Sequence, residues 1–160
     1  MSLKDRIGVD LGRRVSLEDG VAWAVEHDVT YIDAQLDVAP NGLDTFDEAR
    51  CQPILNAAAA GGIHIGLHTL SGVNIAEYSP FLSEAVDDYL AAYIDVAVRL
   101  NAEWVVVHPG HHFGDKKIRM EAAVAHIAKA AKYAEGKGAT LYLENMNWEP
   151  DLAEVHYLAH

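Results

Sequence analysis

Three side chains able to bind a metal stand at the carboxyl ends of three apolar runs. Ile63-His64-Ile65-Gly66-Leu67-His68 finishes on His68, Glu103-Trp104-Val105-Val106-Val107-His108-Pro109-Gly110 delivers His108, and Ala139-Thr140-Leu141-Tyr142-Leu143-Glu144 finishes on Glu144. Short, β-branched apolar runs of this kind read as buried parallel strands. Two imidazoles and a carboxylate suit Zn²⁺, Mn²⁺ or Fe²⁺, whereas Mg²⁺ prefers more oxygen.

Side chains alternate across a strand. His64, Gly66 and His68 therefore share one face, as do Trp104, Val106 and His108, and Thr140, Tyr142 and Glu144. The opposite faces carry Ile63, Ile65 and Leu67, then Val105 and Val107, then Leu141 and Leu143. Purely aliphatic faces suit packing under helices, so the mixed faces point to the centre of a sheet or barrel, and His68, His108 and Glu144 converge on one side.

Other residues of the same chemistry carry plainer readings. His64 lies deeper on the inward face and reads as a buried structural histidine paired with a neighbour such as Tyr142. Asp10 and Asp33 end earlier strands on the same face, where an aspartate commonly caps the following turn. The loop from Thr69 to Pro80 is longer than a strand-to-helix connection requires, which makes Asn74 a candidate substrate contact. His111 and His112 stand in a second polar loop and read equally as substrate contacts or as solvent-exposed residues. Arg13 and Arg14 suit a phosphate by charge, but a solvated loop pair is the simpler reading. His126, His156 and His160 fall on helices, on the outer side, with no role.

The elements that must position these residues follow in regular order. Ile7 to Leu11 reads as a first strand, and Ser16-Leu-Glu-Asp as a capping box opening a helix with Val21, Ala24 and Val25 inward. Val29 to Asp33 is a second strand. After the turn Ala39-Pro40-Asn41-Gly42, a helix opens near Asp44 or Thr45, with Pro53 forcing a break or a late start, and Gly61-Gly62 end it. Ser83 caps a third helix with Val86, Tyr89, Leu90, Tyr93, Ile94, Ala97 and Val98 inward. A fourth spans Lys116 to Glu135 with Val124, Ile127, Ala131 and Ala134 inward, and Asp151-Leu-Ala-Glu154 resembles one more helix cap. Strands alternating with helices predict a parallel sheet with right-handed crossovers. A doubly wound sheet would usually carry a glycine-rich nucleotide loop after its first strand, which Gly8-Val-Asp-Leu-Gly12 does not supply. A (β/α)₈ barrel places function at its strands' carboxyl ends, where the three candidate ligands fall.

At 160 residues and 51% hydrophobic content, the chain is expected to form one domain with a real core. The net charge of −12 repels nucleic acid and anionic membranes at long range. A lone cysteine, Cys51, excludes an internal disulfide, and neither a secretory signal nor a membrane span is evident, so a cytoplasmic location is expected.

Gly66-Leu67-His68-Thr69, Val105-Val106-Val107-His108-Pro109-Gly110 and Leu141-Tyr142-Leu143-Glu144-Asn145, in order and about 35 to 40 residues apart, as one βα unit each requires, resemble the xylose isomerase-like TIM barrels. That superfamily holds sugar and sugar-phosphate isomerases and epimerases together with the endonuclease IV type of abasic-site nuclease. The resemblance implies a (β/α)₈ barrel of which residues 1 to 160 make a single domain with about five of eight βα units, cut after the fifth strand. It implies His68 and His108 as metal ligands in the nuclease branch and as metal or substrate contacts in the others, and Glu144 as a ligand of one or more divalent ions in both, and in the epimerases also the acid/base. A divalent ion beside a hydroxy-ketone polarises the carbonyl and hydroxyl oxygens, so that a carboxylate such as Glu144 can move the adjacent carbon's proton. The expected partner is a small sugar or sugar phosphate, contacted by Asn74, His111, His112 and Trp148; Trp104 could wall the same site, but filling the barrel is as good a reading for it. The alternatives are a zinc phosphodiesterase acting on abasic DNA, with Asn74 at a spacing similar to an asparagine of that branch, and a non-catalytic half-barrel that forms a homodimer through open sheet edges.

Overall fold

The structure, a computed structural model, describes residues 6–111 and 114–144. Five parallel strands, β1 (Gly8–Asp10), β2 (Tyr31–Ala34), β3 (His64–His68), β4 (Trp104–Val107) and β5 (Thr140–Leu143), lie in the order β1-β2-β3-β4-β5. Four helices connect them: α1 (Leu17–Glu26), α2 (Glu48–Gly61), α3 (Pro80–Arg99) and α4 (Lys116–Ala134). Sequential order with a helix in every crossover makes this an incomplete parallel α/β barrel, a partial (β/α)₈ architecture. No described helix is long and apolar enough to cross a membrane.

The faces of the strands divide as alternation requires. Ile65, Leu67, Val105 and Val107 are buried in the core with Ile32 and Ala34 of β2, beneath Val86, Leu90, Tyr93, Ile94 and Ala97 of α3. Gly66, His68, Trp104 and Val106 take the inner face.

Local chemistry sets the helix starts. Ser16 caps α1 by accepting from the Asp19 amide at 3.1 Å while its hydroxyl donates to the Asp19 carboxylate at 2.7 Å. Asp47, not Asp44 or Thr45, caps α2 through the Arg50 amide at 2.8 Å. A 3₁₀ turn at Leu43–Thr45 precedes it, so the late start that Pro53 suggested is what occurs, with Pro53 retained inside the helix. In α3 the cap is Ser79 rather than Ser83, because Pro80 occupies the first turn, where its missing N–H costs nothing.

The inward stripes differ from expectation by one position in three helices. Val25, Val98 and Val124 are exposed, and Ala131 faces out with Val124. Gly20, Val96, Ala123, His126 and Ala130 are buried in their stead, while Ala134 is buried as expected.

Two polar clusters fasten the units together. The Arg50 guanidinium grips both carboxylate oxygens of Glu18, at 2.7 and 3.0 Å, and lies 4.0 Å over the Phe46 ring, joining α1 to α2. Fully buried Asn41, read from sequence only as part of a turn, accepts from the Leu17 amide at 3.0 Å and donates to the Val15 carbonyl at 2.8 Å. At the other end, the Tyr93 and Tyr89 hydroxyls donate to Asp37 at 2.6 and 2.7 Å and accept from the Leu36 and Leu70 amides, which ties the chain leaving β2 to the chain leaving β3.

Candidate metal centre

His68 closes β3, and His108 and Glu144 follow directly on β4 and β5. In the parallel register His68 lies beside Val106, and Val107 beside Leu143. The Glu144 amide donates to the Val107 carbonyl at 3.0 Å and carries the β4–β5 ladder one residue further. The three ends therefore arrive together. His68 Nε2 lies 3.1 Å from His108 Nε2 and 3.0 Å from Glu144 Oε2, and one ligand atom from each residue falls within 4.8 Å of the others.

The two imidazoles sit in different fields. The hydrogen bond from His68 Nδ1 to the Asp33 carboxylate, 2.8 Å, raises His68 above the usual imidazole value against its burial, with the charges of Asp33 and Glu144 adding to the rise. Burial lowers His108, and the nearby Glu144 charge only partly opposes it. His108 Nδ1 is buried with no hydrogen-bond partner among the described residues; Glu144 Oε2 stands 3.7 Å away, too far to serve. A divalent cation fits this set, because it uses neutral imidazole lone pairs and a carboxylate, and the mixture of nitrogen and oxygen suits Zn²⁺, Mn²⁺ or Fe²⁺. The Glu144 side chain is 43% exposed, which leaves its carboxylate open to an incoming molecule.

The remaining candidates are placed as follows. Asp10 keeps the plain reading: its carboxylate accepts from the Gly12 amide two residues on, at 2.7 Å. Asp33 does not cap a turn with its side chain, and its contact with His68 was missed; its position on the inward face beside the His68 strand was the available signal. His64 is half-exposed rather than buried, its side chain 42% accessible, and it pairs with Glu103 and stacks on Tyr31 at 4.9 Å between ring centroids, rather than pairing with Tyr142. Arg13 and Arg14 are exposed.

Asn74 and His111 meet across the two loops. The Asn74 side-chain oxygen accepts from the His111 amide at 2.7 Å and from the Ala76 amide at 3.2 Å, and His111 Nε2 lies 3.3 Å from the Ser71 carbonyl. Gly110, at φ +83°, permits this closeness, since a Cβ there would stand 2.6 Å from both the Asn74 oxygen and the Ala76 nitrogen. His112 and Trp148 lie outside the described residues, as do His156 and His160. His126 is not on an outer surface. It is 2% exposed, with Nδ1 2.5 Å from Asp87 and Nε2 3.1 Å from the Glu77 carbonyl.

Residues 21–158 match the family model described as xylose isomerase-like TIM barrel. The chain belongs to that family. Comparison with curated proteins gave no match. Among solved structures, this xylose isomerase-like barrel is similar to D-psicose 3-epimerase with D-tagatose from Clostridium cellulolyticum H10, with a TM-score of 0.74 at 14% identity, covering 96% of this chain and 60% of that one. It is similar to a xylose isomerase domain protein from Planctomyces limnophilus, with a TM-score of 0.70 at 15% identity over 96% of this chain and 59% of the other. A third is D-allulose 3-epimerase from Methylomonas sp. in complex with D-allulose, with a TM-score of 0.67 at 19% identity over 88% of this chain and 51% of the other. At these identities the likeness is one of fold, and the chain spans between 51% and 60% of the three proteins' lengths.

Proposed function

We propose that this barrel belongs to a divalent-metal-dependent isomerase or epimerase of sugars or sugar phosphates, with His68, His108 and Glu144 as cation ligands. The observation that carries the reading is their convergence: three ligand atoms from three consecutive strand ends lie within 4.8 Å of one another. That placement, at the carboxyl ends of barrel strands, is where this architecture builds its sites. A bound cation would supply polarisation of the oxygens of a hydroxy-ketone. Glu144, whose carboxylate is the exposed member of the trio, exchanges the proton on the neighbouring carbon. The loops carrying Asn74 and His111, pinned to each other, form the wall against which the sugar lies, with His112 and Trp148 further contacts.

The zinc phosphodiesterase alternative uses the same ligands, but the Asn74 side-chain oxygen is committed to two backbone amides and the net charge of −12 opposes a polyanion. The test is titration with Zn²⁺, Mn²⁺ and Fe²⁺ followed by calorimetry, for the chain and for H68A, H108A and E144A. One saturable site that each substitution weakens is expected. Equal uptake by all four proteins would overturn the proposal. Incubation of the metal-loaded chain with ketoses in D₂O, and separately with an abasic oligonucleotide, separates the two activities: deuterium at the carbon beside the carbonyl favours the first, strand cleavage the second.

A further inference from the structure

We infer that Asp33, Gly66 and Trp104 form a brace across three strands that fixes the ring orientation and tautomer of His68. The inference rests on reading His68 as a cation ligand, and it concerns residues that do not themselves touch the cation. Asp33 on β2 is in register with Gly66 on β3, and Gly66 with Trp104 on β4. Side chains at one level of a parallel sheet point to the same face. The middle residue of this level has none. The Trp104 indole therefore lies across Gly66, where a Cβ would fall among the ring atoms Cε2, Nε1 and Cζ2. Across that gap Trp104 Nε1 donates to Asp33 Oδ1 at 3.2 Å.

The second oxygen, Asp33 Oδ2, accepts from His68 Nδ1 at 2.8 Å. An ionised carboxylate only accepts, so the neutral imidazole must carry its hydrogen on Nδ1 and its lone pair on Nε2. Nε2 is the nitrogen that faces His108 and Glu144. With both oxygens engaged and the Asp33 side chain only 21% exposed, the carboxylate has little freedom to turn away. His68 therefore presents a preformed ligand atom, as a carboxylate behind a metal-binding imidazole generally ensures. Asp33, Gly66 and Trp104 are positioning residues of the centre.

The experiment reads two quantities in wild type, D33A, D33N and W104F: the His68 tautomer by ¹⁵N NMR of the cation-free chain at a pH where the ring is neutral, and Zn²⁺ affinity by titration. Cooperative unfolding of each variant establishes that it is folded. In D33A the Nδ1–H form loses its dominance and affinity falls roughly 10–100-fold. D33N recovers part of both, since its amide oxygen can accept from one of the two N–H groups, and W104F falls between wild type and D33A. A folded D33A with wild-type tautomer and wild-type affinity overturns the brace. A wild-type chain that takes up no zinc removes the metal-centre reading instead, and the tautomer then decides alone: its loss in D33A upholds the brace and its retention overturns it.

Discussion

His126 and His108 are both almost entirely buried, 2% and 7% exposed, and their surroundings treat them in opposite ways. Every polar atom of the His126 ring has an oxygen facing it. Nδ1 meets Asp87, whose other oxygen takes Lys129 at 2.6 Å, and Nε2 meets the Glu77 carbonyl at 3.1 Å and the Ser83 hydroxyl at 3.3 Å. Among the described residues, His108 has one nitrogen without a partner and the other aimed at a second imidazole. Buried polar groups are normally satisfied, and leaving one unsatisfied opposes folding. A saturated buried histidine is a fastening between helices; an unsaturated one at a strand end, next to an exposed carboxylate, is a candidate ligand for the cation proposed above. Burial also lowers the His108 pKa, which favours the neutral form that a cation requires.

The largest effect that would sharpen this contrast is the loss of cation affinity in H108A. A direct ligand is removed there, so the loss should exceed the roughly 10–100-fold that outer partners cost. The cation-free chain should lose less stability than H126A, because no oxygen is stripped of its donor. H126A should do the reverse. It removes the buried ring that joins Asp87 to the Glu77 carbonyl and the Ser83 hydroxyl, at a cost of about 2–3 kcal/mol by urea unfolding, while Zn²⁺ affinity stays at the wild-type value. A folded H126A that no longer binds zinc, or an H108A that unfolds, would break the distinction between the two rings.

The same pair shows what could be read from the chain beforehand. Strand ends were legible because alternation forces a side on every residue: once Leu67, Val107 and Leu143 are given to the helices, His68, His108 and Glu144 must face the other way. The helical faces were harder. The buried row of α4 is Ala123, His126, Ala130 and Ala134, and treating histidine as polar shifts all of it but Ala134 by one residue, onto Val124, Ile127 and Ala131. Alternation gives Asp33 its inward face but not its contact with His68. That contact depends on how far β2 and β3 are offset, and that offset is a property of the assembled sheet.

Asp87 gives a pH-dependent version of the comparison. Burial would raise its carboxyl pKa, but the hydrogen bonds from Lys129 and His126 outweigh burial and hold it below the ordinary aspartate value. A folded-state pKa below the unfolded one contributes stability that is complete above the unfolded value, about 3.9, and disappears as pH falls through the folded one. Unfolding midpoints of the cation-free chain should therefore drop on the acid side of that value, and part of the drop should be missing in D87N. An identical acid dependence in the two proteins would remove Asp87 from the fastening.

Lys129 supplies the smallest and most discriminating change. Its side chain is 62% exposed, against 2% for His126, although both donate to the same carboxylate. An exposed ammonium loses most of its attraction to water and salt, so K129A should cost about 0.2–1 kcal/mol, and that cost should shrink further as salt is raised. The His126 contribution should persist in the same salt, because the ring itself is 2% exposed. If K129A proved as damaging as H126A, or if both effects faded together with salt, Asp87 would be held by surface charge. The buried ring would then be a passenger, and the difference between a saturated and an unsaturated histidine would no longer support the proposal that His108 is the one to bind a metal.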